Sequence, residues 1–347
     1  MTVQIQSQPF GRLPDGREVQ AFTLSSPAGV SVRVLSLGGI VQSLLTPDRE
    51  GRLADVVLGF DDLAGYLADR AYMGALIGRV AGRIAGGRLK VGARVFQLGR
   101  NDGANTLHGG PAGFDRALWR VESTGLDGGA AVLRLVHHSP DGDQGFPGAL
   151  GVEATWRLEP SGRLSLDLQA RCDAPTRVNL TSHPYWNLSG AGGDIGDHRL
   201  RIAADEAFLM GEDLVPARTP SSVAGTALDL RAPRRLAEVI AADDPAVRAV
   251  GGLDHVFVLA DREPAARLDH PPSGRSLTIE TDAEAFVAYG GGGLSGGPPG
   301  KAGRLYGAGA GVALEPQARP DRPAVLQPGQ VFRWRQALTF GTDAASS

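Results

Sequence analysis

The chain is poor in cysteine, has no long apolar run and carries almost no net charge, and each lack excludes something. A single cysteine, Cys172, in 347 residues rules out an intramolecular disulfide framework and suits a reducing compartment. No stretch of about eighteen apolar residues offers a transmembrane helix. The opening MTVQIQSQPFGRLPDG has neither a basic n-region nor an apolar h-region, so no secretory signal is visible. With 35 basic against 38 acidic residues, no charge field favours nucleic acid or a membrane surface. The expectation is a soluble cytoplasmic protein with neither partner.

Glycine and proline are what the chain has in plenty, 49 and 23 of them. So many turn formers predict short elements and frequent reversals, which is how antiparallel sheets are built. Period-two alternation agrees. It appears in GVSVRVL (Val30, Val32, Val34), RLSLDLQARC (Leu164, Leu166, Leu168, Ala170), RLRIAA (Leu200, Ile202) and SLTIET (Leu277, Ile279). EPSGR between two such runs predicts a hairpin. The best helical candidate is DDLAGYLADRAYMGALIG, from Asp61, with an aspartate N-cap and one apolar face. Gly290 to Gly303 predicts a mobile loop, not a domain boundary. The fold class expected is all-β, a large antiparallel sandwich or closed sheet in one domain over 1–347, with few short helices.

Common cofactor motifs are missing. Around GKA the chain has Ser295 and Ala302 where a phosphate loop needs Gly and Ser or Thr. GAGAGV, Gly307 to Val312, lacks the third glycine of a dinucleotide fingerprint. There is no His-Glu-x-x-His and no pair of cysteine ligands. His137 and His138 are adjacent in a predicted strand, so they face opposite sides and share no metal. No metal and no cofactor are expected.

Five polar islands remain, in glycine-rich or strand-end settings. They are GRVAGRIAGG with Arg79 and Arg83, NTLHGG with Asn105 and His108, TSHPYWNLSG with His183, GLDHVFVL with Asp254, and GVALEPQARPDRP with Glu315. Each has a plain alternative: Arg79 as a surface arginine, Asp254 as a cap before its strand, His108 as the start of a turn. Glu315 resists that treatment. An apolar run leads straight into it, and a buried glutamate is costly unless paired or protonated. Burial raises its pKa toward neutrality, where a carboxylate is an effective general base, and a histidine titrates in the same range.

These islands, in this order and spacing, resemble the aldose 1-epimerase (galactose mutarotase) family. GGIVQSLLTPDREGRLADVVLGFDDLAGYL resembles the family's N-terminal signature, and NTLHGGPAGFDRALW its histidine motif with the following GFD…W segment. The resemblance runs from about Phe10 to Phe340 and implies the galactose mutarotase-like supersandwich, a large antiparallel β-sandwich. It also implies interconversion of the α and β anomers of free aldoses without a cofactor. Glu315 matches the general base that deprotonates the anomeric hydroxyl, and His183 the general acid that protonates the ring oxygen. Arg83, His108 and Asp254 match residues that hold sugar oxygens, with Pro184, Tyr185, Trp186 and Asn187 shaping the setting of His183. The partner implied is a small-molecule aldose, namely glucose, galactose or a pentose, acted on by a monomer or homodimer.

Three positions depart from the family pattern. Gly82 stands where Asn commonly precedes the pocket arginine, Val287 where a sugar-contacting Gln is frequent, and Ala318 where His or another large residue follows the base. They leave the choice of aldose open. Rival readings are a non-catalytic sugar binder, an epimerase of a hexose 6-phosphate using RAPRR at Arg231 to Arg235, and a glycoside hydrolase pairing Glu315 with Asp254.

Overall fold

The alternating runs fold as antiparallel strands with their apolar members inward. A computed structural model describes residues 2–190, 192–211 and 213–343. Val32 and Val34 lie on the strand Ser31–Leu35, and Leu164, Leu166, Leu168 and Ala170 on Leu164–Cys172. All six are buried, and the residues between them in the second strand are only partly so. Leu200 and Ile202 on Arg199–Ile202 and Leu277 and Ile279 on Arg275–Thr281 repeat the pattern. EPSGR forms its hairpin: Leu158 pairs with Leu164 across it, and Gly162 supplies the left-handed φ of +86° that closes the turn.

Three larger sheets carry the architecture. A five-stranded sheet holds the strands between Gln4 and Asp55 in sequence order. A nine-stranded sheet runs from Arg120–Asp127 through Ala130–Ser139, Leu150–Leu158 and Leu164–Cys172 to the C-terminal strand Phe332–Thr342. It continues through Arg275–Thr281, Ala266–His270 and Arg199–Ile202 to Arg234–Arg235. The six-stranded sheet orders Tyr185–Trp186, Val312–Gln317, Ala285–Tyr289, Asp254–Leu259, Ala204–Phe208 and Ser221–Ser222. One apolar cluster joins all three, with Val32 and Leu44 from the first, Leu133, Trp156, Leu277 and Trp334 from the second, and Phe257, Phe286 and Leu314 from the third. This is the large antiparallel sandwich the composition predicts.

Helix is scarce, as expected, but the predicted helix from Asp61 is overlong. It spans Leu63–Ala68, with Asp62 as N-cap accepting from the Gly65 N–H. The Asp69 carboxylate then accepts from the N–H groups of Ala71 and Met73 at 2.8 and 2.9 Å, which ends the helix. Leu76–Ile77 pairs as a strand with Thr181–Ser182 instead. The other described α-helices are Leu236–Ile240 and Pro245–Ala249, and no described helix is long and apolar enough to cross a membrane. His137 and His138 part as predicted: the His137 ring packs edge-on against Phe114 at 4.7 Å, and His138 is exposed.

Candidate active site

One face of the six-stranded sheet lies on the core and the other floors a cleft. Period two decides which residues reach it: Phe257, Phe286 and Leu314 turn inward, so Asp254, Val256, Val287, Tyr289, Ala313, Glu315 and Gln317 share the opposite face. Register then sets two neighbouring rows. Tyr185, Ala313, Tyr289 and Asp254 lie directly across from one another in turn, and Glu315, Val287, Val256 and Phe208 form the next row. The cleft has a volume of about 680 Å³, and its lining includes the five residues given roles by the family resemblance: Arg83, His108, His183, Asp254 and Glu315.

Each arrives by a different route. Glu315 is clamped by its own strand, because the next carbonyl, of Pro316, accepts from the Thr181 hydroxyl at 2.7 Å and the Trp334 indole at 3.1 Å. His183 sits between two short strands and is fixed by backbone bonds to Ala75 and Gly74. Its Nε2 lies 3.3 Å from Glu315 Oε1, both side chains being almost wholly buried. Arg83 and His108 stand at one end of a short hairpin pairing, Leu107 opposite Arg83. His108 takes a left-handed φ of +51°, followed by Gly109 at +91°. A Cβ on Gly109 would fall 1.9 Å from the Gly78 carbonyl oxygen, so only glycine lets the loop turn His108 inward. The His108 ring meets His183 edge-on at 5.3 Å and Tyr72 at 4.7 Å.

The family profile described as Aldose 1-epimerase matches residues 20–339. The chain belongs to the aldose 1-epimerase family. It is 39% identical to a galactose mutarotase of Mus musculus over 342 residues, 95% of this chain and 96% of that one. It is 35% identical to an aldose 1-epimerase of Escherichia coli K12 over 332 residues, 92% of this chain and 94% of that one. The crystal structure of galactose 1-epimerase from Lactobacillus acidophilus NCFM superposes with a TM-score of 0.89 at 28% identity, covering 99% and 100% of the two chains.

Burial dominates the electrostatics of this aldose 1-epimerase family member. It drives the Glu315 pKa well above the ordinary carboxylate value, Asp254 adding to the effect and Arg83 opposing it. It pulls His183 down to about 4, and His108 well below its usual value with help from His183 and Arg83. Burial also lifts Asp254 to about 6, against the Arg83 charge. An isolated buried ion costs several kcal/mol, so Glu315 and His183 rest as a neutral pair, the Glu315 carboxyl proton lying between Oε1 and Nε2. The imidazole then keeps its own N–H on Nδ1, which is buried without a partner, and its bare Nε2 accepts from the Glu315 carboxyl.

His108, His183 and Glu315 bring donor atoms within 4.8 Å of one another, a trio that spacing in the sequence did not reveal. The ligand types suit a divalent ion, but the surroundings do not. A metal-bound imidazole donates its second N–H to an acceptor. Here His108 Nδ1 accepts from the Gly82 N–H at 3.3 Å, and His183 Nδ1 meets nothing. The same bond leaves the His108 proton on Nε2.

Several sequence candidates go elsewhere. Arg79 is neither at the surface nor in the cleft: it is buried, donating to Ser139, Pro140, Pro147, Gly148 and Thr176. Asn105 accepts from the Gly86 N–H and serves the loop. Of the residues around His183, Tyr185 packs on its ring at 4.9 Å. Trp186 instead lies in the core and Asn187 bonds Ala310 and Gly193. Ala318 does not line the cleft, whereas Gln317 does. The segment expected to be a mobile loop is stapled to the body: Leu294 is buried, and the Lys301 ammonium donates to Asp55 and the Val57 carbonyl at 2.7 and 2.9 Å. Tyr72, Tyr289, Gln317 and Asp102 were missed. Gln317 was legible, two residues beyond Glu315 on one strand face, and so was Tyr289, in the alternating segment AFVAY. Tyr72 and Asp102 carry no sequence signal.

Proposed function

We propose that the chain is an aldose 1-epimerase that interconverts the α and β anomers of free aldoses, Glu315 acting as base and His183 as acid. The observation that carries this reading is the 3.3 Å contact between a carboxylate and an imidazole, both buried and both facing one cleft. Mutarotation needs O1 deprotonated while O5 is protonated, so that the C1–O5 bond breaks. Rotation about C1–C2 and the same transfers in reverse close the ring on its other face. One proton leaves the sugar and one enters it, so the pair takes up as many protons as it gives and no net charge builds up. The reacting form, carboxylate beside imidazolium, differs from the resting pair only by the Glu315 carboxyl proton crossing to His183 Nε2. Each well-placed transfer contributes roughly 10²–10⁴ in rate.

Arg83 and Asp254 are proposed to hold sugar hydroxyls, and His108, with its proton on Nε2, to donate to a sugar oxygen as negative charge develops. Val287 and Val256 next to the base present only C–H to the sugar, which supports tolerance of several aldoses, glucose, galactose and pentoses among them. The site is complete within one chain, consistent with a monomer or a homodimer, in one domain over 1–347. The free thiol of Cys172 supports a cytoplasmic setting.

A phosphate-specific epimerase is disfavoured by its own candidate anchor. Arg231 pairs with Asp229 and Asp205, Arg235 with Asp197, and Arg234 donates to the Ala227 carbonyl. None of them lines the cleft. Optical rotation of freshly dissolved α-sugars tests the reading: faster decay with protein supports it, and sugar binding without faster decay replaces it with the non-catalytic binder.

A further inference from the structure

Arg83 and Asp254 face each other across the cleft but do not join. Their nearest atoms, Nη1 and Oδ2, are 4.0 Å apart with both side chains mostly buried, beyond hydrogen-bond reach. Opposite charges so placed attract strongly, so something holds them apart. The Arg83 Nε donates to Asp102 Oδ2 at 2.6 Å, and no other described side chain or carbonyl takes its remaining N–H groups. Asp102 is itself anchored: its backbone pairs with Asn105 on both sides of a tight turn. The neighbouring Asn101 amide bonds the Leu107 N–H and carbonyl and the Tyr72 hydroxyl. The turn therefore belongs to the same rigid unit that presents His108.

We infer that Asp102 is a positioning residue, which restrains the Arg83 guanidinium from closing on Asp254 and so keeps both free for sugar hydroxyls. Without that carboxylate, Arg83 swings on its stem to form a close pair with Asp254. A sugar must then break the pair before it binds. The loss falls on binding and not on proton transfer, because Asp102 touches neither Glu315 nor His183. The pKa of Asp254 responds as well, since Asp102 helps to raise it and a close arginine would lower it.

The inference rests on the proposed mutarotase reading, and wild-type activity on a free aldose is the baseline that tests that reading separately. Asp102→Asn keeps the turn chemistry and removes the charge. It is expected to raise KM about five- to tenfold with kcat within about twofold, and to move the acid limb of kcat/KM to lower pH. In an Asp254→Asn background the same substitution should change KM by less than about twofold, because the pair it releases no longer forms. Asp102→Glu, which restores the charge, should recover most of the affinity. An unchanged KM in Asp102→Asn overturns the inference. So does an equal loss in both backgrounds, which would make Asp102 a fold support only.

Discussion

Replacing Glu315 by Gln probes the proposed acid–base pair at its most exposed assumption, that the carboxylate moves a proton. The side chain is almost wholly buried and lies 3.3 Å from His183 Nε2, and burial raises its pKa well above the ordinary carboxylate value, favouring the neutral form. An amide of the same size therefore replaces a neutral acid, with no new buried charge and no cavity, and the clamps on Pro316 are untouched. Folding stability should stay within about 1 kcal/mol. Turnover should not. Losing one proton-transfer partner costs about 10²–10⁴ in rate, which is about 3–5 kcal/mol of barrier at 1.36 kcal/mol per tenfold. The assay is polarimetry on fresh α-glucose and α-galactose, with sugar binding measured by calorimetry. The expected result is kcat down by at least about 10² and affinity within several-fold; Glu315→Ala should match it in rate but lose stability to the cavity it leaves. Wild-type turnover in the glutamine variant would make Glu315 a structural buried acid and refute the mechanism.

Further outcomes can be checked. His183→Asn should cut turnover about as much as Glu315→Gln, and the double variant should be little worse than either, because the two act as a unit. The kcat–pH profile should be a broad plateau. It should fall on the acid side as His183 gains a second proton near 4 and on the alkaline side when Glu315 loses its proton above its raised pKa; kcat/KM should show a further acid limb near 6 from Asp254. An acid limb of kcat near the ordinary imidazole value would contradict the buried pair. Val287→Gln should lower KM for a hexose about two- to tenfold by restoring one hydrogen bond, and chelation should leave turnover unchanged, activity restored by one specific ion being the adverse result. Stability should fall in acid: burial holds His198 down at about 3 and His255 at about 4, below the unfolded value. Each therefore contributes fully above about 6.5 and loses about 1.4 kcal/mol per pH unit as pH falls toward those values. Urea midpoints at pH 7 and 4.5 measure it.

What could be read from residues alone was whatever a short period or an exact motif encodes. Alternation predicted the strands bearing Val32, Leu166, Leu200 and Leu277, because the faces of a strand are set by chain geometry before any partner is chosen. Glu315 stood out because a carboxylate at the end of an apolar run must be accounted for, and the spacing of five islands over most of the chain identified a family. Local signals failed where distant atoms compete with them. The helix from Asp61 was overextended because the Asp69 turn and the partner strand at Thr181–Ser182 outweigh its apolar periodicity. Arg79 was misjudged because its acceptors lie about 60 to 100 residues away. The 3.3 Å contact of His183 with Glu315, their opposed pKa shifts, and the gap that Asp102 keeps between Arg83 and Asp254 arise only when the sheets pack. Desolvation and charge–charge distance belong to the assembled cleft, and no single segment of the chain carries them.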